Sequence, residues 1–503
     1  MNRKSEQIPQ ILRRPENPQL YSFPTRLVAG MVRSGLRPLY MGFKISQKMC
    51  GPLGSLSKYA SEEVERSPGF FVWMGFLLAL IFLGGFALLM SLIHSMEILE
   101  FYTNIPWEMT VSNYVFLVGS SVGLCFIASL GYVFGLQRYE MVAKRALFLA
   151  LITVIFGLAS ISLHLGHPER SAIFGALTPN LRSAMSYMGV LYPPYIGLLA
   201  LWYWLLVRKA LANKGAECEG LKAKAYRLMA LEGLRSHLNE WVSLLKWEAK
   251  IYRLIPLEQM GLSLDSEGVE LRWARIIAPL ALIFGLLAFT VEGSLFAHVE
   301  ARPFWYGPLF PIDFLLGASF CGLSWLLATG IITYKVRGEE TPANLRALFY
   351  EMGELLAVLL SVGVLFTAYK MGHGLFEPSK AETIMLFLKG PFSEAFWVFE
   401  IGIGLVFPVF ILVYGARQGK MGGILVGSVM VLVGYFVKRY DFVVASQVYP
   451  LIKKQHTLSS YFPTTMEILL IGGIIGALLL VYTLGVRFLP LKEQAPIPSA
   501  APK

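Results

Sequence analysis

The densest run of reactive side chains in this sequence is His164-Leu165-Gly166-His167-Pro168-Glu169-Arg170. It places two imidazoles, a carboxylate and a guanidinium within one short turn. Imidazole titrates near neutral pH and can pass a proton to a reacting oxygen. Trp107, Asn113 and Tyr114 lie upstream and offer an indole, an amide and a phenol. Glu292, Asp313, His373, Glu400 and Glu467 are set in otherwise apolar surroundings. Any one of them could cap a helix or meet the membrane surface, but an ionisable group in an apolar segment is a functional candidate, here for proton transfer. Metal chemistry has no support: the four cysteines are scattered, and no spacing suits a zinc or iron–sulfur site. Five of the seven histidines (His94, His164, His167, His298 and His373) fall at the ends of apolar runs, and none lies in the middle of one. The paired axial ligands of a b-type haem are therefore missing, and no haem or metal is expected in this chain.

These groups must be positioned by membrane helices. Of 503 residues, 55% are hydrophobic and only 15% are charged, against about 25% charged in a soluble protein. That composition excludes disorder and a disulfide scaffold. The net charge of +11 reads as basic loops at a membrane surface, not as a nucleic-acid-binding face. Ten apolar runs are long enough to be spans: 69–93, 111–134, 146–163, 188–206, 276–296, 314–334, 355–369, 395–414, 424–440 and 464–488. An all-helical membrane protein is expected, since no alternating ten-residue strands of a barrel appear.

With Lys and Arg at span ends assigned to the adjoining segment, alternate segments hold 34 and 10 of the 44 basic residues. The positive-inside rule then puts both termini in the cytoplasm, in a multi-pass protein of the cytoplasmic (inner) membrane. Residues 1–67 form a basic cytoplasmic segment with a candidate surface helix at 26–48, and 207–275 forms a cytoplasmic insertion with helical apolar spacing over 221–251. Either could lie on membrane lipids or dock a cytoplasmic subunit.

An internal repeat organises the spans. Trp107, Phe116, Gly119 and Ser121 recur at the same offsets as Trp305, Phe314, Gly317 and Ser319. Arg145-Ala146-Leu147-Phe148 recurs as Arg346-Ala347-Leu348-Phe349, and Gly166-His167 as Gly372-His373. The expected architecture is two tandem four-helix bundles, 107–300 and 305–445, with flanking helices at 68–98 and 463–490 and a cytoplasmic tail at 491–503. In this topology the candidate chemical groups converge on the outer face. An outer-face group of His, Tyr, Asn and carboxylates on apolar helices suits quinone chemistry. A quinone needs an apolar slot, hydrogen bonds to two ring oxygens, and groups that exchange protons. Its electrons would pass to or from another redox subunit.

The sequence resembles the NrfD/PsrC family of quinone-interacting membrane subunits over residues 104–440. The resemblance rests on Asn104-Ile105-Pro106-Trp107, on Asn113-Tyr114-Val115-Phe116-Leu117-Val118-Gly119, and on the run His164–Arg170 followed by Asn180-Leu181-Arg182-Ser183-Ala184-Met185-Ser186-Tyr187. Ten spans, with Arg439-Tyr440-Asp441 and Pro463-Thr464-Thr465-Met466-Glu467 near the end, look most like the larger DsrP, HmcC and ActC-type members. The resemblance implies a bound quinone (menaquinone or ubiquinone) near the outer face of the first bundle, contacted by Asn113 or Tyr114 and by His164. Trp107, His167, Glu169 and Arg170 complete the candidate site. It also implies a ferredoxin-like iron–sulfur subunit on the outer face and further redox subunits, among which a multihaem cytochrome is a candidate. Two positions depart from the family: Gly166-His167-Pro168 stands where Gly-Arg-Pro is common, and Tyr187-Met188 where some large members carry an acid. The proton-donating role then falls to Arg170, Glu169 or Glu292. The rival readings are a secondary transporter, which also uses repeats and for which Pro193-Pro194 in the fourth span is the one favourable feature, and a haem b membrane anchor.

Overall fold

A computed structural model describes residues 68–93, 105–165, 170, 177–180, 182–231, 269–448 and 462–491. The chain divides into a unit of residues 1–70 and a unit Phe71–Lys503; apart from the first three residues of the first helix, everything below lies in the second. The described residues contain no strand and ten helices long and apolar enough to cross a membrane. They are α1 (Pro68–Ile93), α2 (Met109–Tyr132), α3 (Glu140–His164), α4 (Ala184–Glu217), α5 (Val269–Ala297), α6 (Leu309–Arg337), α7 (Ala343–Leu375), α8 (Ala395–Arg417), α9 (Met421–Val448) and α10 (Thr465–Phe488). At 1.5 Å per residue such helices match or exceed a hydrocarbon core of roughly 30 Å. The protein is a multi-pass integral membrane protein.

All ten apolar runs are helices; several extend past the runs, and in two of these buried charge is the reason. The seventh run covers 355–369, whereas α7 is 33 residues long. The ninth run stops at Tyr440, whereas α9 continues to Val448. In both cases ionisable residues end the apolar run without ending the helix. Lys370 in α7 and Lys438, Arg439 and Asp441 in α9 are buried inside the protein. α4 continues unbroken through Pro193 and Pro194. In the insertion at 207–275, the expected helix at 221–251 is represented by a helix over Gly220–Met229; residues 232–268 lie outside the described residues.

α2 packs along α3 and α5, and α5 along α4; α6 packs on α7 and α9, and α9 on α8. α2 and α6 are the most enclosed of the ten helices, and they join the two sets by packing on each other. Their backbones touch: a Cβ on Gly123 would sit 1.8 Å from the Ala318 carbonyl oxygen, and one on Gly322 2.3 Å from the Gly123 carbonyl carbon. No other residue allows so close a crossing. The repeat-related Trp107 and Trp305 stack on each other, with ring centroids 5.1 Å apart, so the two halves of the repeat meet face to face. α1 packs on α10 through Gly84 and Gly473, where a Cβ on Gly84 would lie 2.5 Å from Gly473 Cα. The end of the molecule where α2 starts is called the near end; α3, α5, α7 and α9 finish there, and α6, α8 and α10 start there.

Candidate functional site

Two buried polar clusters lie a turn or two inside the near end. The first is carried by α2, α3, α4 and α5. Asn113 is fully buried; its Nδ2 donates to Ser160 Oγ at 3.1 Å, and Ser160 Oγ donates to the Thr110 carbonyl at 2.9 Å. Asn113 Oδ1 is buried with no hydrogen-bond partner among the described residues. The next residue, Tyr114, points to α4, where its hydroxyl meets Met188 Sδ at 3.5 Å. Tyr192 on α4 donates a hydrogen bond to Glu292 Oε2 on α5. Tyr114 lies beside this pair and within its electrostatic reach. Glu292 Oε1 is a second buried acceptor without a hydrogen bond among the described residues. His164 is half-buried at the last residue of α3. It lies one helical turn beyond Ser160, and therefore on the face of α3 that Ser160 turns to α2.

The second cluster joins α6, α7, α8 and α9. Asp313 is 2% exposed and is surrounded by three cations: Lys438 Nζ at 3.0 Å, Lys370 Nζ at 3.6 Å and Arg439 Nη1 at 3.8 Å. Lys438 also reaches Glu400 Oε1 at 3.6 Å and Thr367 Oγ1 at 3.5 Å. Arg439 is sandwiched between the rings of Phe314 and Tyr435, 4.0 and 4.7 Å from their centroids, and hydrogen-bonds to the Tyr435 hydroxyl. Tyr435 needs a glycine opposite it: a Cβ on Gly317 would lie 1.3 Å from the Tyr435 hydroxyl oxygen. Glu400 is presented from the stretch Ala395–Val406, which is wound as a π-helix; such widened turns recur at functional sites. The charge of Arg439 also reaches Glu292, so the two clusters are electrostatically linked across the α2–α6 seam.

A third polar contact ties α10 to the start of α2. Glu467 closes a capping box with Thr464 at the head of α10, and the Glu108 side chain hydrogen-bonds to Glu467. Both carboxyl groups are buried. Burial, reinforced by the neighbouring Glu467 charge, pushes the Glu108 carboxyl up to about 9. At neutral pH Glu108 therefore holds a proton that the pair can share.

The structure thus gathers Asn113, Tyr114 and Glu292 into one cluster, with His164 on the adjoining helix face. Asp313 and Glu400 belong to the second cluster. Trp107 has a packing role: it stacks on Trp305, and its backbone is clamped by Gln447, whose Nε2 donates to the Trp107 carbonyl at 2.7 Å. Arg170 is exposed, and His167 and Glu169 lie outside the described residues. His373 borders a cavity with Lys370 and Lys380. Among the described residues no group of three or more His, Cys, Asp or Glu could hold a metal.

Sequence reasoning missed Tyr192, Tyr435 and Gln447, because a tyrosine or glutamine in an apolar helix carries no signal of its own. The pairing of Tyr192 with Glu292 could only have been reached from the expected four-helix packing. Lys438 and Arg439 lie inside the ninth apolar run, 424–440, and the pairing that buries them joins helices far apart in sequence.

The family described as polysulphide reductase, NrfD, matches residues 97–450. A selenate reductase subunit of Mesobacillus selenatarsenatis is 24% identical over 397 residues, 76% of this chain and 86% of that protein. An Hdr-like menaquinol oxidoreductase integral membrane subunit of Archaeoglobus fulgidus is 22% identical, over 79% of this chain and 88% of that protein. Protein NrfD of Escherichia coli is 24% identical, over 69% of this chain and 96% of that protein.

Proposed function

The chain belongs to the NrfD, polysulphide reductase, family, and from that premise we propose that it is the quinone-interacting membrane subunit of a multi-subunit respiratory oxidoreductase. The observation that carries this reading is the hydrogen-bonded Tyr192–Glu292 pair beside Tyr114 and Asn113. The donor set fits a quinol or quinone headgroup. Asn113 Oδ1 and Glu292 Oε1 are buried acceptors with nothing to accept from among the described residues, and unsatisfied buried groups of this kind are expensive without a ligand. Two ring hydroxyls would satisfy both. The bound molecule would supply two electrons and two protons, or take them up, according to the direction of flow.

Within this chain each group has a separable task. Asn113, held by Ser160, orients the ring. Tyr192 and Glu292 hold and exchange the proton, since a phenol hydrogen-bonded to a carboxyl is a short relay. Tyr114 lines the slot from α2, and His164 offers a second titratable contact from the end of α3. Asp313, Glu400 and Glu467 are the further proton-transfer candidates, and the field of Arg439 links the first two to Glu292.

A relative named as part of a menaquinol oxidoreductase supports menaquinol as the quinone. Relatives named as reductase and oxidoreductase subunits support redox partner subunits; a ferredoxin-like iron–sulfur protein over the near end is the partner that the family resemblance implies. The basic-residue bias supports the inner membrane, with both termini in the cytoplasm and the near end outside. The test is Tyr192→Phe, which keeps the ring and removes the hydroxyl. Quinol-dependent turnover of the assembled complex should fall by roughly a hundredfold. Wild-type turnover in an assembled Tyr192→Phe complex would contradict the assignment.

A further inference from the structure

Beside the second cluster, and sharing Lys370 with it, one cavity combines charge with depth. It has a volume of about 180 Å³ and lies between the Phe304–Phe310 segment, the end of α7 and the short helix Pro378–Leu388. Its polar side chains are Lys370, His373, Lys380, Tyr306 and Tyr369, and no carboxylate lines it. Lys370 is the informative member. It is only 9% exposed, and its ammonium makes no hydrogen bond among the described residues; the nearest carboxylate oxygen, Asp313 Oδ2, is 3.6 Å away. The ammonium instead faces the rings of Phe310 and Phe304, 5.2 and 5.9 Å from their centroids, beside the cavity. A buried ammonium carries three donors, and leaving them unmet is costly. Lys380 spends one contact on Glu377 at 2.7 Å and arches over Gly307, where a Cβ would come within 3.4 Å of its Nζ. Gly307 has a φ of +131°, a conformation that suits glycine and leaves the cavity mouth open.

Lys370 and Lys380 each keep donor capacity beyond a single carboxylate partner, and an oxyanion in the cavity would take it up. We propose that this cavity binds a phosphate-class oxyanion, with the headgroup of an anionic phospholipid as its source. Position favours the lipid over free phosphate. α7 is 33 residues long, so its ends reach past the hydrocarbon core to headgroup level. An exposed apolar stripe of Val358, Val362, Leu365 and Tyr369 runs up α7 and ends at the cavity, of which Tyr369 is itself a wall. Acyl chains lying along that stripe would deliver the phosphate to Lys380, His373 and Lys370.

The test uses the purified protein in its native complex, reconstituted into phosphatidylcholine nanodiscs that contain a minority of phosphatidylglycerol and read by native mass spectrometry. Wild type should retain phosphatidylglycerol in preference to phosphatidylcholine. The double variant Lys380→Ala/His373→Ala should retain it roughly tenfold less, as expected for two basic contacts with an anionic headgroup, and Lys380→Arg should retain it as wild type does. Inorganic phosphate added to wild type should not displace it. Equal retention by wild type and the double variant, or equal retention of the two lipids, would overturn the site. Displacement by inorganic phosphate would overturn the lipid source.

Discussion

Replacing Asp313 by Asn should unfold the second bundle more readily than any other single isosteric change. The Asp313 carboxylate lies at 3.0, 3.6 and 3.8 Å from three cations, and its side chain is 3% exposed. An amide keeps the shape and removes the charge. Lys370, Lys438 and Arg439 would then retain a single ion-pair partner, Glu400, which reaches only Lys438. Breaking a buried pair by removing one partner costs about 3–5 kcal/mol, because the remaining charge stays desolvated. At 1.4 kcal/mol per factor of ten, the unfolding equilibrium should shift by about two to three and a half orders of magnitude. The assay is unfolding of the purified protein by a graded denaturing detergent, followed by tryptophan fluorescence. Adding Lys370→Met to Asp313→Asn should recover part of the loss, since among the described residues Lys370 pairs with Asp313 alone and is stranded by its removal, and the double-mutant cycle should give a coupling well above 1 kcal/mol. An Asp313→Asn protein as stable as wild type, or a coupling near zero, would refute the view that these charges hold one another in place.

Two further outcomes follow from other parts of the molecule. The native Glu108 carboxyl is raised from 4.5 to about 9, so the folded state binds the extra proton across that window. Its contribution to stability is complete below about pH 4.5 and is lost as pH rises towards 9, by roughly tenfold in the folding equilibrium per pH unit. Glu108→Gln cannot ionise, and a comparison of denaturation midpoints at mildly acid and mildly alkaline pH should show a flatter dependence than wild type; an unchanged slope would remove Glu108 as its source. For topology, a cysteine introduced between Glu377 and Glu382 should react with an impermeant maleimide on intact cells, while one placed beside Arg227 should not. The reverse pattern would invert the assignment of the near end to the outside.

The ten spans were legible because lipid demands long apolar helices, and composition alone reveals them. Their ends were less legible where the protein buries charge. The apolar run of α9 stops at Tyr440, yet the helix continues because Lys438 and Arg439 find Asp313 on a helix more than a hundred residues earlier. Such pairing depends on which helices neighbour one another, and periodicity does not encode that. Trp107 and Trp305, matched by spacing, stack on each other in the fold. Asn113, Tyr114 and Glu292 were legible as polar residues in apolar segments, but the residue that joins them, Tyr192, was not. Asp313 and Glu400 were visible singly, while their common partner Lys438 looked like the end of a span.

The central claim is that the quinone headgroup lies in the first bundle against Asn113, Tyr114, Tyr192 and Glu292. Photolabelling of the intact complex with an azido-quinone, followed by peptide mapping, tests it most directly. Crosslinks are expected within α2, α4 or α5; a native quinol should compete them away, and Asn113→Leu should weaken them. Competable crosslinks confined to α6–α9 would contradict it.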